Sequence, residues 1–315
     1  MKRVLVTGGA GFIGSHLVKA LLDRGDEVAI ADNLDPFYPE RLKRRSLDPR
    51  ARLFEADIRD LPAMQRAFAE AKPEVVVNLA ALAGVRPSLE RPAAYMDVNV
   101  RGTACVLQAA HEAGTRRFVL GSSSSVYGAH AQPPFRETAR IDSPESPYAA
   151  SKVASEVLAR TFHNLYGIEI AALRFFTVYG PRQRPDLAIH KFSRRMLAGK
   201  ALPFFGDGST RRDYTWVDDI IAGVLAACDV PLRFDIVNLG GAHTTSLSEL
   251  VTLLEEALGV KAILDRQPAQ PGDVPLTNAD VSHAGEVLGY APRTPIHAGI
   301  RKCADWGRGE GRDWI

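Results

Sequence analysis

Residues 4–17 read VLVTGGAGFIGSHL, an apolar run of strand type followed at once by a helical pattern of apolar residues. This stretch predicts a β-strand, a tight turn and a helix. Glycines in such a turn let the backbone fold sharply and approach a pyrophosphate, and the helix N-terminus offers free N–H groups. The predicted cofactor-binding residues of the turn are Gly8, Gly11, Phe12, Ile13 and Gly14. A tight turn that binds no ligand has the same pattern, so this prediction needs further support.

The second predicted strand, residues 27–32, ends in an acid, Asp32, which is followed by Asn33. An acid at this place suits hydrogen bonds to a ribose 2′-hydroxyl and repels a 2′-phosphate, so NAD is favoured over NADP. We include both residues in the predicted cofactor site. The basic residues Arg41 and 43–45 follow nearby, and we interpret them as a solvated surface helix.

The composition favours a globular protein without a strong charge preference. At 315 residues and 46% hydrophobic content, the chain is long enough for one large core or two unequal ones. A net charge of +2 gives no pull toward nucleic acid or a membrane surface, so neither is an expected partner. An odd number of cysteines, 3, argues against a disulfide framework and favours the cytoplasm. The 8 histidines show no paired metal-ligand spacing, so we predict no metal site.

Strand-like and helix-like segments alternate along the chain. The further strand-like runs lie near residues 53–54, 75–79, 118–120, 168–175 and 234–238. This alternation predicts an α/β fold with a mostly parallel, doubly wound sheet of the Rossmann type. We expect an NAD-binding domain from residues 1–180 plus 213–241 and a smaller, interleaved α/β substrate domain from residues 181–212 plus 242–315. The substrate is expected in the cleft between them.

Tyr148 and Lys152 carry the predicted chemistry. They open a helical run, and residues four apart share a helix face, so the ammonium can lie beside the phenol. Lowering the pKa of a tyrosine enough for it to act as a base near neutral pH requires about 4 kcal/mol, which we expect from this ammonium and the positive nicotinamide of NAD. Tyr-x-x-x-Lys also occurs by chance, but here Ser123 places a hydroxyl at a predicted strand end. We therefore predict Ser123, Tyr148 and Lys152 as catalytic residues.

Over essentially its whole length, the sequence resembles the extended short-chain dehydrogenases/reductases, and within them the nucleotide-sugar epimerases. The matching stretches are residues 7–14, 57–58, 78–81, 99–103, 122–128, 148–152, 173–181, 212–214 and 271–273. The resemblance implies an NAD-dependent isomerase of a UDP-sugar. It also implies a homodimer formed through helices near residues 93–113 and 147–166.

The same resemblance implies roles for individual residues. The cofactor residues that it adds are Asp57, Ile58, Leu79, Ala80, Ala81, Asn99, Ser122 and Phe175, together with Tyr148 and Lys152. Ser123 and Tyr148 are expected to contact the reacting sugar hydroxyl. Arg212 and Asp273 are expected to lie toward the nucleotide.

Residues 123–127 read SSSVY and bear on the reaction type. Relatives that eliminate water resemble Thr-Asp-Glu-Val-Tyr here, and those that decarboxylate UDP-glucuronate resemble Thr-Ser-Glu-Val-Tyr. Elimination needs an additional acid and base. No carboxylate stands at Ser124 or Ser125, so an epimerase is favoured.

Thr177 favours UDP-glucuronate as the substrate, because relatives acting on neutral UDP-hexoses commonly have asparagine at this place. Hydroxyls of Ser124, Ser125 and Thr177 are suited to donate hydrogen bonds to a sugar carboxylate. Our hypothesis is that these donors also slow the loss of CO₂ from the 4-keto acid intermediate. The alternative is that these hydroxyls make ordinary hydrogen bonds within loops and at strand ends.

The sequence departs from many UDP-hexose epimerases at Gln270, where they carry an arginine that meets the diphosphate. Candidates to replace that contact are Arg86, Arg182, Arg184 and Arg212, since a guanidinium matches phosphate oxygens. A solvated basic loop is the alternative interpretation of the first three.

Three alternative functions remain open from the sequence. The first is a UDP-glucose 4-epimerase. The second is a non-catalytic NAD-binding sensor, which the fold alone does not exclude, although a sensor needs no basic phenol. The third is an ordinary dehydrogenase or reductase that releases NADH.

Overall fold

A computed structural model describes residues 1–268 and 274–312 of the chain. Its strands are β1 (Arg3–Thr7), β2 (Glu27–Asp32), β3 (Arg52–Glu55), β4 (Val75–Asn78), β5 (Arg117–Ser123), β6 (Glu169–Phe175), β7 (Thr177–Tyr179), β8 (Leu202–Phe205), β9 (Arg211–Trp216), β10 (Phe234–Leu239), β11 (Thr244–Ser246) and β12 (Leu264–Gln267).

The helices alternate with these strands. They are α1 (Phe12–Asp23), α2 (Glu40–Ser46), α3 (Leu61–Ala71), α4 (Val85–Glu90), α5 (Pro92–Tyr95), α6 (Gly102–Glu112), α7 (Pro147–Tyr166), α8 (Ala188–Leu197), α9 (Val217–Asp229), α10 (Leu247–Leu258), α11 (Ser282–Leu288) and α12 (Ile296–Arg308). A π-helical turn, Met96–Arg101, joins α5 to α6, and a 3₁₀ turn, Ser124–Tyr127, follows β5.

The central sheet has seven strands in the order β10-β6-β5-β4-β1-β2-β3, and every neighbouring pair is parallel. The predicted doubly wound α/β fold is therefore confirmed, and each strand-like run named from the sequence lies in this sheet. The chain leaves β1 toward β2 and β3 on one side and resumes at β4 on the other. This reversal creates the crevice at the carboxyl ends of β1 and β4 where ligands bind in such folds.

Both faces of the central sheet are covered, because alternate side chains of a strand point to opposite faces. Val4 and Val6 of β1 pack in one apolar cluster with Leu17 of α1, whereas Leu5 packs in the other with Phe68 of α3. All five of these side chains are buried. The strand is thus apolar throughout, as the central strand of a parallel sheet should be.

Two small sheets lie outside the central one. One has the order β11-β9-β7 and the other pairs β12 with β8. The three-residue strands β7 and β11 are too short for an alternation of side chains to be recognised in the sequence. In β9, the buried Asp213 carboxylate accepts hydrogen bonds from the backbone N–H groups of Gly241, Ala242 and Ala279. Asp213 thereby fixes the strand from which the neighbouring Arg212 projects.

Within residues 1–268 and 274–312, no helix combines the length and apolar character needed to cross a membrane. The same ranges contain no cluster of three or more His, Cys, Asp or Glu side chains suited to a metal ion. Cys105, Cys228 and Cys303 are free thiols, and Cys228 is buried.

Candidate active site

A cavity of about 520 Å³ runs from the glycine turn across the carboxyl ends of β1, β4 and β5. At one end it is lined by the predicted cofactor residues Gly8, Gly11, Phe12, Ile13, Gly14, Asp32, Asn33, Asp57, Ile58, Leu79, Ala80 and Ala81. Toward the other end it is lined by Ser122, Ser123, Ser124, Ser125, Tyr148, Lys152, Phe175, Thr177, Arg184 and Arg212. The structure therefore brings most of the predicted site residues to one cavity.

The glycine turn is packed so closely that side chains would not fit. Gly8 has φ +71°, and a Cβ placed on it would lie 2.7 Å from the backbone nitrogen of Ala80. A Cβ on Gly14 would overlap the carbonyl oxygen of Gly8. No side chain caps the N-terminus of α1, so its first N–H groups remain for a ligand in the cavity. This bare cradle fits the pyrophosphate of a dinucleotide.

Acidic side chains border the end of the cavity that the glycine turn lines. The Asp32 carboxylate accepts hydrogen bonds from the backbone N–H groups of Ala10 and Leu34, at 3.0 and 2.8 Å. Each oxygen of a carboxylate can accept more than one hydrogen bond, so acceptor capacity remains for a ribose hydroxyl. Asp57 accepts from Asn33 at 3.1 Å, and hydrogen bonds from Arg59 lower the pKa of Asp57 to about 2.

Lys43 belongs to this end of the cavity, and the sequence interpretation of it as part of a solvated helix is wrong. The side chain is buried, lines the cavity and donates to the carbonyl oxygen of Asp35 at 2.6 Å. Its ammonium lies 4.9 Å from the ring centroid of Tyr38. Burial lowers the pKa of Lys43, and the carboxylates of Asp32 and Asp35 oppose that effect. Nothing in the sequence distinguishes this inward-facing lysine from the basic residues beside it.

The predicted catalytic side chains meet where β5 and α7 converge. Ser123 is the last residue of β5. Tyr148 lies in the first turn of α7. Ser146 caps the start of this helix, because its side chain accepts a hydrogen bond from the backbone N–H of Ala149 at 3.1 Å. Ser123 acts on the Tyr148 phenol and lowers its pKa, against the effect of burial. Strand end and helix start therefore bring the two hydroxyls together.

The ammonium of Lys152 is not directed at the phenol. It donates to the carbonyl oxygen of Gly121 at 2.8 Å and lies 6.0 Å from the Tyr148 ring centroid. Burial raises the pKa of Tyr148, opposed by the hydrogen bond from Ser123 and the charge of Arg184. Burial lowers the pKa of Lys152 to about 8, opposed by Glu156. The protein's own groups therefore do not supply the low phenol pKa that we expect of the base.

Several side chains at the other end of the cavity already make hydrogen bonds within the protein. Ser125 donates its hydroxyl to Ser123 Oγ at 3.0 Å. Arg184 binds Asp186 through Nε and Nη2, at 3.0 and 2.7 Å. Arg212 donates through Nη1 to the carbonyl oxygen of Arg211. As placed here, the Ser125 proton is directed at Ser123 and not at a substrate.

Two predicted site residues lie outside the described lining of the cavity. Asn99 is buried and bonds both backbone groups of Leu82, and its Nδ2 also donates to Ser151 at 2.9 Å. Arg86 has its guanidinium carbon 5.1 Å from the ring centroid of Phe205. Asn99 therefore holds the loop at Leu82, and its predicted cofactor contact stays a prediction. Asp273 and Gln270 lie outside the described residues.

The sequence prediction omitted several lining residues. These are Phe37, Tyr38, Arg59, Leu82, Ala83, Arg91, Tyr95, Phe176 and Leu187, among others. Tyr95 is in edge contact with Tyr148, with ring centroids 6.1 Å apart. Most of these residues stand in loops and short helices, where no periodicity marks an inward-facing position.

A glycine turn at the switch point of a parallel sheet, open to a cavity shared with Ser, Tyr and Lys, defines a dinucleotide-binding protein of the Rossmann class. The chain belongs to the NAD dependent epimerase/dehydratase family, whose model matches residues 4–240. It is 38% identical over 310 residues to a UDP-glucuronate 4-epimerase of Thermodesulfobacterium geofontis, covering 96% of this chain and 95% of that protein.

The chain is also similar to solved structures of epimerases that contain two different UDP-sugars. The UDP-glucuronic acid 4-epimerase of Bacillus cereus, in complex with UDP-glucuronic acid and NAD, has a TM-score of 0.90 and 34% identity, covering 97% of this chain and 98% of that one. The UDP-glucose 4-epimerase of Thermotoga maritima with UDP-glucose has a TM-score of 0.91 and 34% identity, covering 98% and 99%. Overall similarity therefore does not distinguish the two sugars.

Gly14→Ala should yield protein that has lost bound NAD. The added methyl group meets backbone, which cannot rotate away, so α1 must shift from the pyrophosphate position. We expect NAD affinity to fall roughly tenfold or more, since about 1.4 kcal/mol of lost contact gives that factor. The measurement is the NAD content of purified protein and the Kd for added NAD. Gly285→Ala is the control, because the nearest atom to its Cβ is 3.6 Å away. Equal NAD affinity in the two variants would contradict the cradle.

Proposed function

We propose that this chain is an NAD-dependent 4-epimerase of a UDP-sugar. The observation that carries the proposal is that Ser123, Tyr148 and Lys152 line the same cavity as the glycine cradle. A phenol at the ligand-binding edge of the sheet, paired with a hydroxyl and followed by a buried lysine, is suited to move a proton on an alcohol. Similarity over the full length to proteins named as UDP-sugar 4-epimerases supports the proposal.

In the proposed reaction, Tyr148 takes the proton of the sugar 4-hydroxyl while Ser123 holds the same oxygen. Bound NAD supplies a reversible acceptor for the C4 hydride and a positive charge near the phenol. The 4-keto sugar then turns about its bond to the diphosphate and presents its other face. Tyr148 returns the proton as the hydride returns to C4, so the stereocentre is inverted without net oxidation. The UDP moiety supplies the anchoring during that turn.

The cofactor is proposed to lie along the glycine cradle. Gly8, Gly11 and Gly14 would admit the pyrophosphate, and Asp32 would accept from the ribose. Lys152 would hold the nicotinamide ribose, as the family resemblance implies. Its ammonium already bonds Gly121 O, which fixes its position beside that part of the cavity.

We propose UDP-glucuronate as the substrate, converted to UDP-galacturonate. Thr177 and Ser124 line the cavity and carry hydroxyls that can donate to a carboxylate. Arg184 contributes positive charge near Tyr148. Ser125 would first have to release Ser123 to join these donors. The Thermotoga structure with UDP-glucose keeps UDP-glucose as the second candidate.

NMR of the anomeric protons distinguishes these substrates. Purified protein without added NAD is incubated separately with UDP-glucuronate and UDP-glucose, and we expect conversion of the acid. Conversion of the neutral sugar alone would make the chain a UDP-glucose 4-epimerase. No conversion of either would favour the sensor, and accumulation of absorbance at 340 nm would identify an ordinary dehydrogenase.

Thr177→Val tests the carboxylate contact. Losing a hydrogen bond to a charged group should lower kcat/KM for UDP-glucuronate by roughly ten- to a hundredfold. We also expect more UDP-pentose-4-ulose, released by loss of CO₂ from the keto acid. Thr252→Val on the exposed side of α10 is the matched control. Equal losses for the acid and the neutral sugar, or no additional ulose, would contradict the assignment.

Tyr148→Phe should retain NAD and lose turnover by about a thousandfold, within the range that a positioned acid–base group contributes. The phenyl ring keeps its packing against Tyr95 but has no proton to transfer. The readouts are epimerisation rate and NAD content. Tyr166→Phe, at a half-exposed position at the end of α7, serves as the control. Turnover near the wild-type rate would overturn the assigned base.

We also propose a homodimer formed through α6 and α7. The apolar side chains Val157, Leu165 and Tyr166 of α7 are 61%, 67% and 47% exposed, and His111 of α6 stacks on Tyr166. Sedimentation should give twice the monomer mass for the wild type and the monomer mass for Val157→Arg. A monomeric wild type would rule the dimer out. The cytoplasmic location and the division into two interleaved domains stay predictions.

A further inference from the structure

A buried ion pair lies behind the catalytic lysine. Glu156 of α7 and Arg174 of β6 are 3% and 1% exposed. Arg174 Nε donates to Oε1 of Glu156 at 3.0 Å, and Nη2 donates to Oε2 at 2.8 Å. Such a two-point pair fixes both side chains in orientation as well as distance.

The pair also connects the elements that carry the proposed catalytic residues. Ser122 Oγ donates to Glu156 Oε1 at 2.5 Å, and Ser122 pairs with Arg174 across β5 and β6. Ser122 directly precedes Ser123. Lys152 lies one helical turn before Glu156, on the same face of α7. Glu156 is therefore bonded to β5 and β6 while it stands beside Lys152.

Stability alone does not account for this arrangement. Removing two charges from water is costly, and apolar residues of similar volume commonly stabilise a core equally well. Glu156 is the carboxylate that acts on the Lys152 ammonium and opposes the effect of its burial. A buried negative charge at this place keeps a second buried charge, the ammonium, in its protonated form.

Other charged and titratable groups surround the pair. Arg174 stacks over the ring of Tyr127, from the 3₁₀ turn, at 4.8 Å. Its Nη1 donates to the carbonyl oxygen of Glu137 at 3.4 Å. On the cavity side, Tyr148 stands on α7, and Arg184 acts on that phenol from the loop before α8. Glu156 is thus paired with Arg174 and Ser122 and stands one helical turn after Lys152 on α7.

We propose that Glu156, held by Arg174 and Ser122, is a positioning residue that keeps Lys152 protonated and in register with Ser123 and Tyr148. It thereby sets the alkaline limit of activity. This inference rests on the proposed epimerase function and on the roles proposed for these three residues.

The two members of the pair should act in opposite directions. Glu156→Gln removes the negative charge and leaves the Arg174 cation uncompensated, so Lys152 should lose its proton at a lower pH. Arg174→Met leaves the carboxylate of Glu156 unshared, so Lys152 should lose its proton at a higher pH. Glu156→Asp keeps the charge and is the matched control. A general loosening of the core would not give shifts of opposite sign.

The experiment measures Lys152 directly by ¹³C NMR of holoprotein labelled at lysine Cε, with the signal assigned from its absence in Lys152→Met. The second readout is kcat against pH with UDP-glucuronate. For Glu156→Gln, we expect the Lys152 titration and the alkaline limb of kcat to move down by roughly one pH unit. For Arg174→Met both should move up, and for Glu156→Asp neither should move appreciably.

Each outcome supports or overturns the inference. If kcat falls in Glu156→Gln while the Lys152 titration does not move, the ion pair has only a packing role. Shifts of the same sign in Glu156→Gln and Arg174→Met would lead to the same conclusion. Should Glu156→Gln not fold, Arg174→Met against Glu156→Asp still tests the sign. A wild-type protein that converts neither UDP-sugar would refute the proposed function, while the NMR titration would still decide whether Glu156 controls Lys152.

Discussion

The close approach of α1 to the glycine turn is the constraint on which the rest of the structure depends. A side chain on Gly8 would meet the backbone of Ala80, just after β4, and a side chain on Gly14 would meet the backbone of Gly8. Because β1 and β4 flank the switch point of the sheet, this contact sets the floor of the cavity. The same packing leaves the N-terminus of α1 exposed to a ligand.

The reacting end of the cavity is organised by burial and by the hydrogen bonds that burial demands. Ser125 donates its hydroxyl to Ser123, and Ser123 in turn acts on the Tyr148 phenol. Burial raises the pKa of the Tyr148 phenol, and Ser123 and Arg184 oppose that effect. The charges of cofactor and substrate therefore complete the electrostatics of the site.

The sequence predicts the central sheet and the reacting residues because both leave local signals. Apolar runs that alternate with helical patterns mark the strands β1, β2 and β4. The spacing of Tyr148 and Lys152 marks one face of α7. The buried position of Lys43 and the pairing of Glu156 with Arg174 leave no such local signal in the sequence. Glu156 and Arg174 stand on different elements, and a charged residue in a sequence looks the same whether its partner is water or another side chain. Only tertiary packing distinguishes them.

Asn99 shows what such a hidden contact can do. Its amide bonds the N–H and the carbonyl of Leu82, and Tyr95 bonds the next carbonyl, that of Ala83, at 3.1 Å. A segment of small residues ending in Gly84 would otherwise lose considerable conformational entropy on closing over a ligand. Here that entropy is lost on folding. Binding at this part of the cavity therefore does not have to order the loop, and more of the contact free energy remains available as affinity.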